Sequence, residues 1–308
     1  MRVGVAIELS GRPGWLVEGW RYEQIRSQAQ LAEELGFDRV VAEDALSLPA
    51  ADHPTVSAWE SVVVLAGLAE ATATIGVGHS VINAPYRNPG HLASIALTLD
   101  EVSGGRYTLG IGAGNTPDED YERFGIAADQ RYSRLVDTVT IVRDLLRHGH
   151  ADHDGEHAAA RGAELVLRGR REEGPPLVIA AGGPRMQRAA ARFADEWNWW
   201  VPPFADPADL RPRLAEVGRA CDEVGRDPST LRRSLDVYLP VGPIGWDRGR
   251  DGDPPTTGPA ETAELTRAYA GLGIAEVRYY LPRRGITPQQ RMSDLTDLGA
   301  VVPLLHGA

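Results

Sequence analysis

The sequence predicts an α/β protein that folds as a single (β/α)8 barrel, the TIM-barrel architecture, over residues 1–308. Short β-branched runs alternate with amphipathic helical segments along the whole chain, and there are eight such runs. Eight strand–helix units require a parallel sheet with crossover helices, for which a closed barrel is the simplest arrangement. A doubly wound open sheet is the alternative, because a count of strands does not demonstrate closure.

The predicted strands share β-branched or apolar residues bounded by polar or glycine-containing segments. They are Val3–Leu9, Arg39–Ala42, Thr74–Val81, Tyr107–Ile111, Leu177–Ala180, Trp197–Val201, Leu235–Leu239 and Glu276–Leu281. The strands therefore recur at intervals long enough to hold a helix between each pair.

The helical segments between the strands carry start and stop signals. The first has apolar residues at Ile25, Ala29, Ala32 and Leu35, a spacing that gives one buried face. Three capping residues stand directly before a proline at the predicted first helical position: Asn88, Asp206 and Thr287. Three glycines stand where a left-handed C-cap is needed: Gly36, Gly225 and Gly273.

Two stretches interrupt this alternation. Residues 149–175 form a polar, arginine-rich insertion before the fifth strand, and residues 242–259 form a long loop rich in Gly, Pro and Asp after the seventh strand. Active sites of such barrels lie at the carboxyl ends of the strands, so we expect the second stretch to act as a lid.

Composition excludes several classes of protein. There are 32 basic and 43 acidic residues, a net charge of −11, so nucleic acid is not an expected partner. The chain has no lysine, which excludes Schiff-base chemistry on lysine. The one cysteine, Cys221, cannot form an internal disulfide, and no apolar run approaches the length of a membrane span. We therefore expect a cytoplasmic protein without a membrane partner.

Glycine-rich segments follow the fourth and fifth strands. Residues 110–115 end in Asn115 where a dinucleotide fingerprint needs glycine, so this loop is either a sharp turn or a backbone that admits a planar ligand. Ala181, Gly182 and Gly183 join the fifth strand to a helix that begins at Pro184. The exposed N–H groups and dipole of that helix predict an anion site, with a plain turn as the alternative.

Candidate reactive and pocket side chains lie at other strand ends. Glu43 and Asp44 follow the second strand as paired carboxylates, although a helix cap or surface acid is their commoner role. Three tryptophans crowd the sixth strand, and alternation sends Trp197 and Trp199 to one face and Trp200 to the other. The histidine-rich residues 148–157 fall in the polar insertion, away from the strand ends, so we predict no metal site.

Four stretches in this order resemble the bacterial luciferase-like superfamily, and most closely its deazaflavin (factor 420)-dependent oxidoreductases. They are Leu35–Asp44, Gly78–Pro89, Gly104–Gly114 and Ile179–Asn198. The resemblance implies the same barrel, with a non-prolyl cis peptide between Ser80 and Val81 that backs the cofactor ring. It implies a reaction on a small organic molecule, and relatives are commonly homodimers.

The resemblance and the residues at the strand ends together predict which residues form the site. The cofactor-binding set is Asp44, Ser80, Val81, Gly112, Ala113, Gly114, Asn115, Ala181, Gly182, Gly183 and Arg185. The candidate catalytic residues are Glu43, Asp44 and His79. The substrate-pocket set is Glu8, Trp15, Asn83, Trp197, Trp199 and Trp246.

Departures from the family pattern keep alternatives open. Ala45 stands where some relatives carry a catalytic histidine, and Asn115 stands where deazaflavin sugar-phosphate dehydrogenases carry a glutamate. Sugar phosphate oxidation is therefore disfavoured. The main prediction is hydride transfer between a reduced deazaflavin and an organic molecule. The alternatives are an FMN-dependent monooxygenase, which takes FMNH2 from a separate reductase, and a cofactor-binding barrel without catalytic activity.

Overall fold

The computed structural model describes residues 1–11, 21–50, 53–114, 119–127, 129–202, 205–239, 258–281 and 287–306. Within these ranges eight parallel strands form a closed barrel, because the fifth strand pairs with both the sixth and the fourth. The barrel strands are β1 (Arg2–Ala6), β2 (Arg39–Ala42), β3 (Gly76–His79), β4 (Tyr107–Gly112), β5 (Leu177–Ala180), β6 (Glu196–Val201), β7 (Arg232–Tyr238) and β8 (Glu276–Tyr280). This closure confirms the predicted barrel and excludes the open sheet.

Eight helices in the described ranges surround the barrel. They are α1 (Tyr22–Glu34), α2 (Ser61–Ala71), α3 (Pro89–Val102), α4 (Arg131–His148), α5 (Pro184–Phe193), α6 (Arg211–Glu223), α7 (Pro259–Gly271) and α8 (Pro288–Gly299). Two shorter helices span Glu119–Arg123 and Val301–His306, and 3-10 turns span Ala84–Tyr86, Pro207–Leu210 and Pro228–Thr230.

The predicted capping signals operate locally. The Asn88 side chain accepts hydrogen bonds from two backbone N–H groups of α3, and the Thr287 side chain accepts one at the start of α8. Asp206 caps the 3-10 turn that precedes α6. On α1, Ile25, Ala29 and Ala32 are buried as the stripe requires. The caps and the apolar stripe that the sequence predicted are therefore formed at these helices.

The two faces of the barrel wall differ in polarity. The outward faces of the strands pack apolar side chains against the helices, whereas the interior carries charged side chains. Arg39 Nε lies 3.0 Å from Glu276 Oε1, and Arg278 Nε lies 2.8 Å from Asp236 Oδ1. Burial opposes the ionised form of Glu276, but the surrounding arginines outweigh it and lower the pKa of its carboxyl. The inward-facing side chains therefore form buried ion pairs inside the barrel.

Three extra strands and one hairpin lie outside the barrel. Ser10–Gly11, Ser47–Ala50 and His53–Ala58 form a small antiparallel sheet in the connections after β1 and β2. In the predicted insertion, His150–Asp154 pairs with Ala159–Glu164. Within the described ranges, no helix combines the length and the apolar character needed to cross a bilayer.

The histidines of the insertion bond to helix α4 and its cap. His153 Nε2 lies 2.9 Å from Asp137 Oδ1, and His157 Nε2 lies 2.9 Å from Gln130 Oε1. Among the described residues, no group of three or more potential ligands is arranged to hold a metal ion. The predicted lid lies almost wholly outside the described residues, and the single-domain assignment over 1–308 stays a prediction.

Candidate active site

The end of β3 brings the chain back into the barrel mouth. The peptide bond between Ser80 and Val81 is cis, which confirms the geometry that the family resemblance implied. The Val81 side chain packs directly on the backbone of β4, because a Cβ atom on Gly112 would lie 2.7 Å from Val81 Cγ2. A Cβ atom on Gly110 would lie 2.1 Å from the His79 carbonyl oxygen. Both glycines are therefore needed for this close approach.

A buried hydrogen-bond network inside the barrel holds the Ser80 residue. The Ser80 hydroxyl donates to Asp236 Oδ2 at 2.7 Å, and the Tyr280 hydroxyl donates to the Ser80 carbonyl at 3.0 Å. Asn198 Nδ2 donates to the other Asp236 oxygen at 3.2 Å. Burial raises the pKa of Asp236 more than the Arg278 charge lowers it. Sequence analysis missed Asp236 and Tyr280, whose only signal is their inward position on β7 and β8.

The loop after β4 is shaped around a left-handed glycine. Gly114 has φ of +87°, and a Cβ atom there would lie 1.7 Å from the Tyr121 hydroxyl oxygen. That hydroxyl donates to Asn83 Oδ1 at 2.9 Å, and Arg131 Nη1 donates to the Gly114 carbonyl at 3.2 Å. Asn83, predicted to line the pocket, is thus buried and bonded beneath the loop. Asn115 lies outside the described residues.

The start of helix α5 leaves room for an anion. Gly183 is the exposed N-cap of α5, and a Cβ atom there would meet no atom within 4 Å. A Cβ atom on Gly182 would lie 2.2 Å from the Trp199 ring. Arg213 donates to the Gly182 carbonyl and lies 4.1 Å from the centroid of the Trp199 ring. The first N–H groups of a helix lack intrahelical partners, so this rigid, open loop presents them to solvent.

Arg185 is the second residue of α5 and lies beside the exposed Gly183. Its guanidinium lies 4.1 Å from the centre of the Tyr132 ring, at the beginning of α4. The side chain is exposed, and a cation at this position favours a negatively charged ligand. Arg185 thus lies beside the 181–183 loop, and the binding role of both stays a prediction.

Asp44 is engaged in a network behind the barrel wall. Its carboxylate accepts from Arg87 Nη1 at 2.5 Å, from Arg87 Nη2 at 3.0 Å, from the Ser61 hydroxyl at 2.7 Å and from the Asn83 N–H at 3.0 Å. Burial raises the pKa of Asp44, but the hydrogen bonds and charge of Arg87 outweigh it and lower the value. These contacts tie the ends of β2 and β3 to α2 and leave the carboxylate ionised.

His79 is completely buried on the outward face of β3. Its Nδ1 lies 2.7 Å from the Tyr107 hydroxyl, and the two rings meet edge to face. Burial lowers the pKa of His79 to about 3, although the Asp44 charge acts in the opposite direction. His79 is therefore enclosed in the barrel wall, whereas Asp44 is bonded to the end of β3 through the Asn83 N–H.

Two carboxylates line a cavity at the mouth itself. Glu43 accepts a hydrogen bond from the Tyr238 hydroxyl at 3.3 Å, which joins the ends of β2 and β7 across the barrel. The lining residues come from the ends of β1, β2 and β8 and from neighbouring loops and α8. They are Ala6, Ile7, Glu8, Leu9, Glu43, Ala45, Ala58, Tyr280, Leu281 and Arg291. Of the predicted acids, Glu8 and Glu43 line this small cavity, and their roles stay predictions.

The tryptophans of β6 divide between the two faces. Trp197 is completely buried and donates from Nε1 to the Ala181 carbonyl at 2.8 Å, so it supports the 181–183 loop rather than lining a pocket. Trp199 packs behind Gly182. Trp200, which was not among the predicted pocket residues, is half exposed and lies 6.3 Å from the Tyr238 ring centre. Trp15 and Trp246 lie outside the described residues.

Comparison with known families agrees with this geometry. Residues 1–243 match the family model described as luciferase-like monooxygenase. The chain belongs to this family, which confirms the membership that the ordered sequence motifs indicated.

Two relatives and one solved structure illustrate the range of similar proteins. The 5,10-methylenetetrahydromethanopterin reductase of Archaeoglobus fulgidus is 33% identical over 58% of this chain and 49% of its own length. The F420-dependent hydroxymycolic acid dehydrogenase of Mycobacterium tuberculosis is 29% identical over 73% of this chain and 61% of its own length. The match thus spans only about half to three fifths of these relatives.

A solved F420-dependent secondary alcohol dehydrogenase, in complex with an F420-acetone adduct, has the same fold. Its TM-score is 0.78 at 18% identity, with 99% of this chain and 98% of that chain covered. Its agreement over the full chain supports the closed barrel described above.

Proposed function

We propose that this protein is an oxidoreductase that binds the deazaflavin F420 and transfers a hydride between it and a small organic molecule. The observation that carries the proposal is the open, cation-flanked N-terminus of α5 at Gly183, within the same mouth as the Val81 side chain. A deazaflavin cofactor combines a phosphate with a flat ring, and these two features provide a place for each. The F420-dependent relative supports this choice of cofactor.

Three features of the mouth support the binding of such a cofactor. The backbone of Ala181, Gly182 and Gly183 would hold the phosphate, because Gly183 leaves space that a side chain would fill. The predicted ring and chain contacts of Gly112, Ala113 and Gly114 would come from the edge of the loop that Val81 packs against. The Ser80 contacts with Asp236 and Tyr280 would fix Val81 in place.

Glu43 is the proposed residue for proton handling. Its carboxylate faces the mouth cavity and bonds to the Tyr238 hydroxyl, so a proton can reach a substrate heteroatom from this pair. Asp44 and His79 act as positioning residues, since their partners hold them in the wall of the barrel. Bound F420 would supply the hydride, while the protein supplies orientation and excludes water.

A second candidate is an FMN-dependent monooxygenase supplied with FMNH2 by a separate reductase. The family model that matches the chain is described as a monooxygenase, and FMN also carries one phosphate and a flat ring. The same α5 N-terminus would hold that phosphate. The two candidates therefore share a binding site and differ in the cofactor that occupies it.

The proposal extends to the setting of the protein. We place it in the cytoplasm, since its one cysteine, Cys221, is buried and unpaired. A homodimer is the proposed assembly. Size-exclusion chromatography with light scattering tests the assembly, and a mass of one chain would contradict it.

Parallel titrations distinguish the two cofactors. Purified protein is titrated with F420 and with FMN, and binding is followed by calorimetry at one ionic strength. We expect F420 to bind at least about tenfold more tightly than FMN, a difference of about 1.4 kcal/mol. Tighter binding of FMN would favour the monooxygenase, and failure of both to bind would overturn the proposed function.

A further inference from the structure

Three aromatic side chains form a continuous row along one side of the barrel mouth. Trp200, Tyr238 and Tyr280 come from the ends of the adjacent strands β6, β7 and β8. The Tyr238 and Tyr280 ring centres are 4.7 Å apart at 32°, and the Trp200 and Tyr238 centres are 6.3 Å apart at 87°. We call these three residues the aromatic row.

The inward direction of the row follows from the pairing of the strands. Trp200 is in register with Asp236, whose carboxylate reaches Ser80 and Arg278 inside the barrel. Tyr238 is in register with Tyr280, whose hydroxyl reaches the Ser80 carbonyl. Because side chains alternate along a strand, these positions share the interior face.

The row becomes more exposed toward the 181–183 loop. Tyr280 is 3% exposed and Trp200 is 50% exposed, although both lie on the interior face of their strands. The ring of Trp200 also lies 5.8 Å from that of Trp199, which backs Gly182. An indole that is half open at a barrel mouth can form one wall of a ligand site, where aromatic side chains are common.

The charges beside the row limit what can bind there. Glu8 and Glu43 line the adjoining cavity, and Arg291 is the one basic residue in its described lining. Glu43 also accepts the hydrogen bond from Tyr238, so a carboxylate stands at the edge of the row. Acidic groups in a partly enclosed site repel anions and favour cations or hydrogen-bond donors.

We propose that the aromatic row, with Glu8 and Glu43, binds a planar ring-containing substrate that is neutral or cationic, and selects against anionic substrates. The rings would stack against or meet the edge of the substrate ring, which is the preferred geometry between aromatic groups. This assignment rests on the proposed function, which assigns the Val81 side of the mouth and the α5 N-terminus to the cofactor. The substrate would then lie between the cofactor and the row.

Probe binding tests the proposal without an assay of turnover. Tryptophol, tryptamine and indole propionate share one ring and differ in charge, and cyclohexylethanol lacks the planar ring. With inorganic phosphate in excess to occupy the α5 N-terminus, we expect calorimetry to show tryptophol and tryptamine binding at least about tenfold more tightly than indole propionate or cyclohexylethanol. Equal affinity for the anionic probe, or for the saturated probe, would overturn the proposal.

Variants assign the binding to the named side chains. Trp200→Leu should weaken tryptophol binding about tenfold, whereas Tyr22→Leu, at an exposed aromatic residue of α1, should leave it unchanged. Glu43→Gln should raise the affinity for indole propionate toward that for tryptophol. Unchanged probe affinity in Trp200→Leu would refute the role of the row.

A parallel measurement separates this proposal from the proposed function. The affinity of F420 is measured in the wild-type protein and in Trp200→Leu. We expect the same F420 affinity in both, because Trp200 lies on the substrate side. Loss of F420 binding in the variant would place the row in the cofactor site and overturn the substrate assignment. Absence of F420 binding in the wild type would overturn the proposed function, while the probe titrations still test the row.

Discussion

The buried pair of Asp44 and Arg87 gives the sharpest prediction about stability. The Asp44 side chain is 5% exposed and accepts two hydrogen bonds from the Arg87 guanidinium, whose side chain is 12% exposed. Asp44→Asn keeps the shape but removes the charge. We expect it to lower the free energy of unfolding by about 3 kcal/mol, at the lower end of the cost of breaking a buried ion pair. The expected cost is at the lower end because Arg87 still has a second ion-pair partner, Glu60.

Glu60→Gln is the matched control, because Glu60 contacts the same guanidinium with a side chain that is 47% exposed. Its glutamine oxygen can still accept from the Val63 N–H that the glutamate caps. We expect this change to cost less than about 1 kcal/mol. Denaturant unfolding followed by circular dichroism measures both variants.

The pH dependence has a definite sign. The pKa of Asp44 is lower in the folded protein than its usual value of 3.8, so its contribution to stability is present above that value. It is lost as the pH falls through 3.8 toward the folded pKa. The wild type and Asp44→Asn should therefore converge in acid. A cost below about 1 kcal/mol at neutral pH, no larger than that of Glu60→Gln, would refute the structural role of Asp44.

Two further predictions concern His79 and the loop before α5. The folded pKa of His79 is about 3 against the ordinary 6.5, so acid favours the unfolded chain. Stability should fall by about 2 kcal/mol more between pH 7 and pH 5 in the wild type than in His79→Phe, as denaturant unfolding at each pH measures. Gly182→Ala should cost about 1–3 kcal/mol, because its methyl group would overlap the Trp199 ring, while Gly183→Ala should stay within about 0.5 kcal/mol. Thermal unfolding compares the two, and equal stability would contradict the packing described at Gly182.

The sequence predicted the barrel well because its signals are local. Strand runs, the stripe on α1 and the caps at Asn88 and Thr287 each depend on residues within a few positions of one another. The glycine pair at 182 and 183 also predicts the loop between β5 and α5, because the loop and the start of the helix are contiguous in sequence. These features need no knowledge of which strands are neighbours.

The contacts that decide the roles of side chains are not local. Asp44 meets Arg87 across 43 positions, and Ser80 meets Asp236 across 156 positions. No pattern in one segment specifies such partners before the barrel closes. Asp44 and Glu43 were equal candidates in sequence, but successive side chains point to opposite faces, so one lies in the wall and the other in the mouth.

The sequence also could not show which tryptophans of β6 face the barrel interior. Alternation placed Trp197 and Trp199 together, but it did not say which face of the strand is the interior. The barrel interior here is the polar face, shared by Glu196 and Asn198, so Trp200 lies at the mouth. The two polar residues were the available signal for that choice.

The affinity of the protein for F420 with Gly183 replaced tests the central claim most directly. Gly183→Val fills the space before α5, and Gly271→Val, at the exposed last residue of α7, is its control. A Cβ atom on either glycine meets no atom within 4 Å. We expect Gly183→Val to bind F420 at least about tenfold more weakly and Gly271→Val to bind as the wild type does. Wild-type affinity in a folded Gly183→Val protein would contradict a cofactor phosphate at the start of α5.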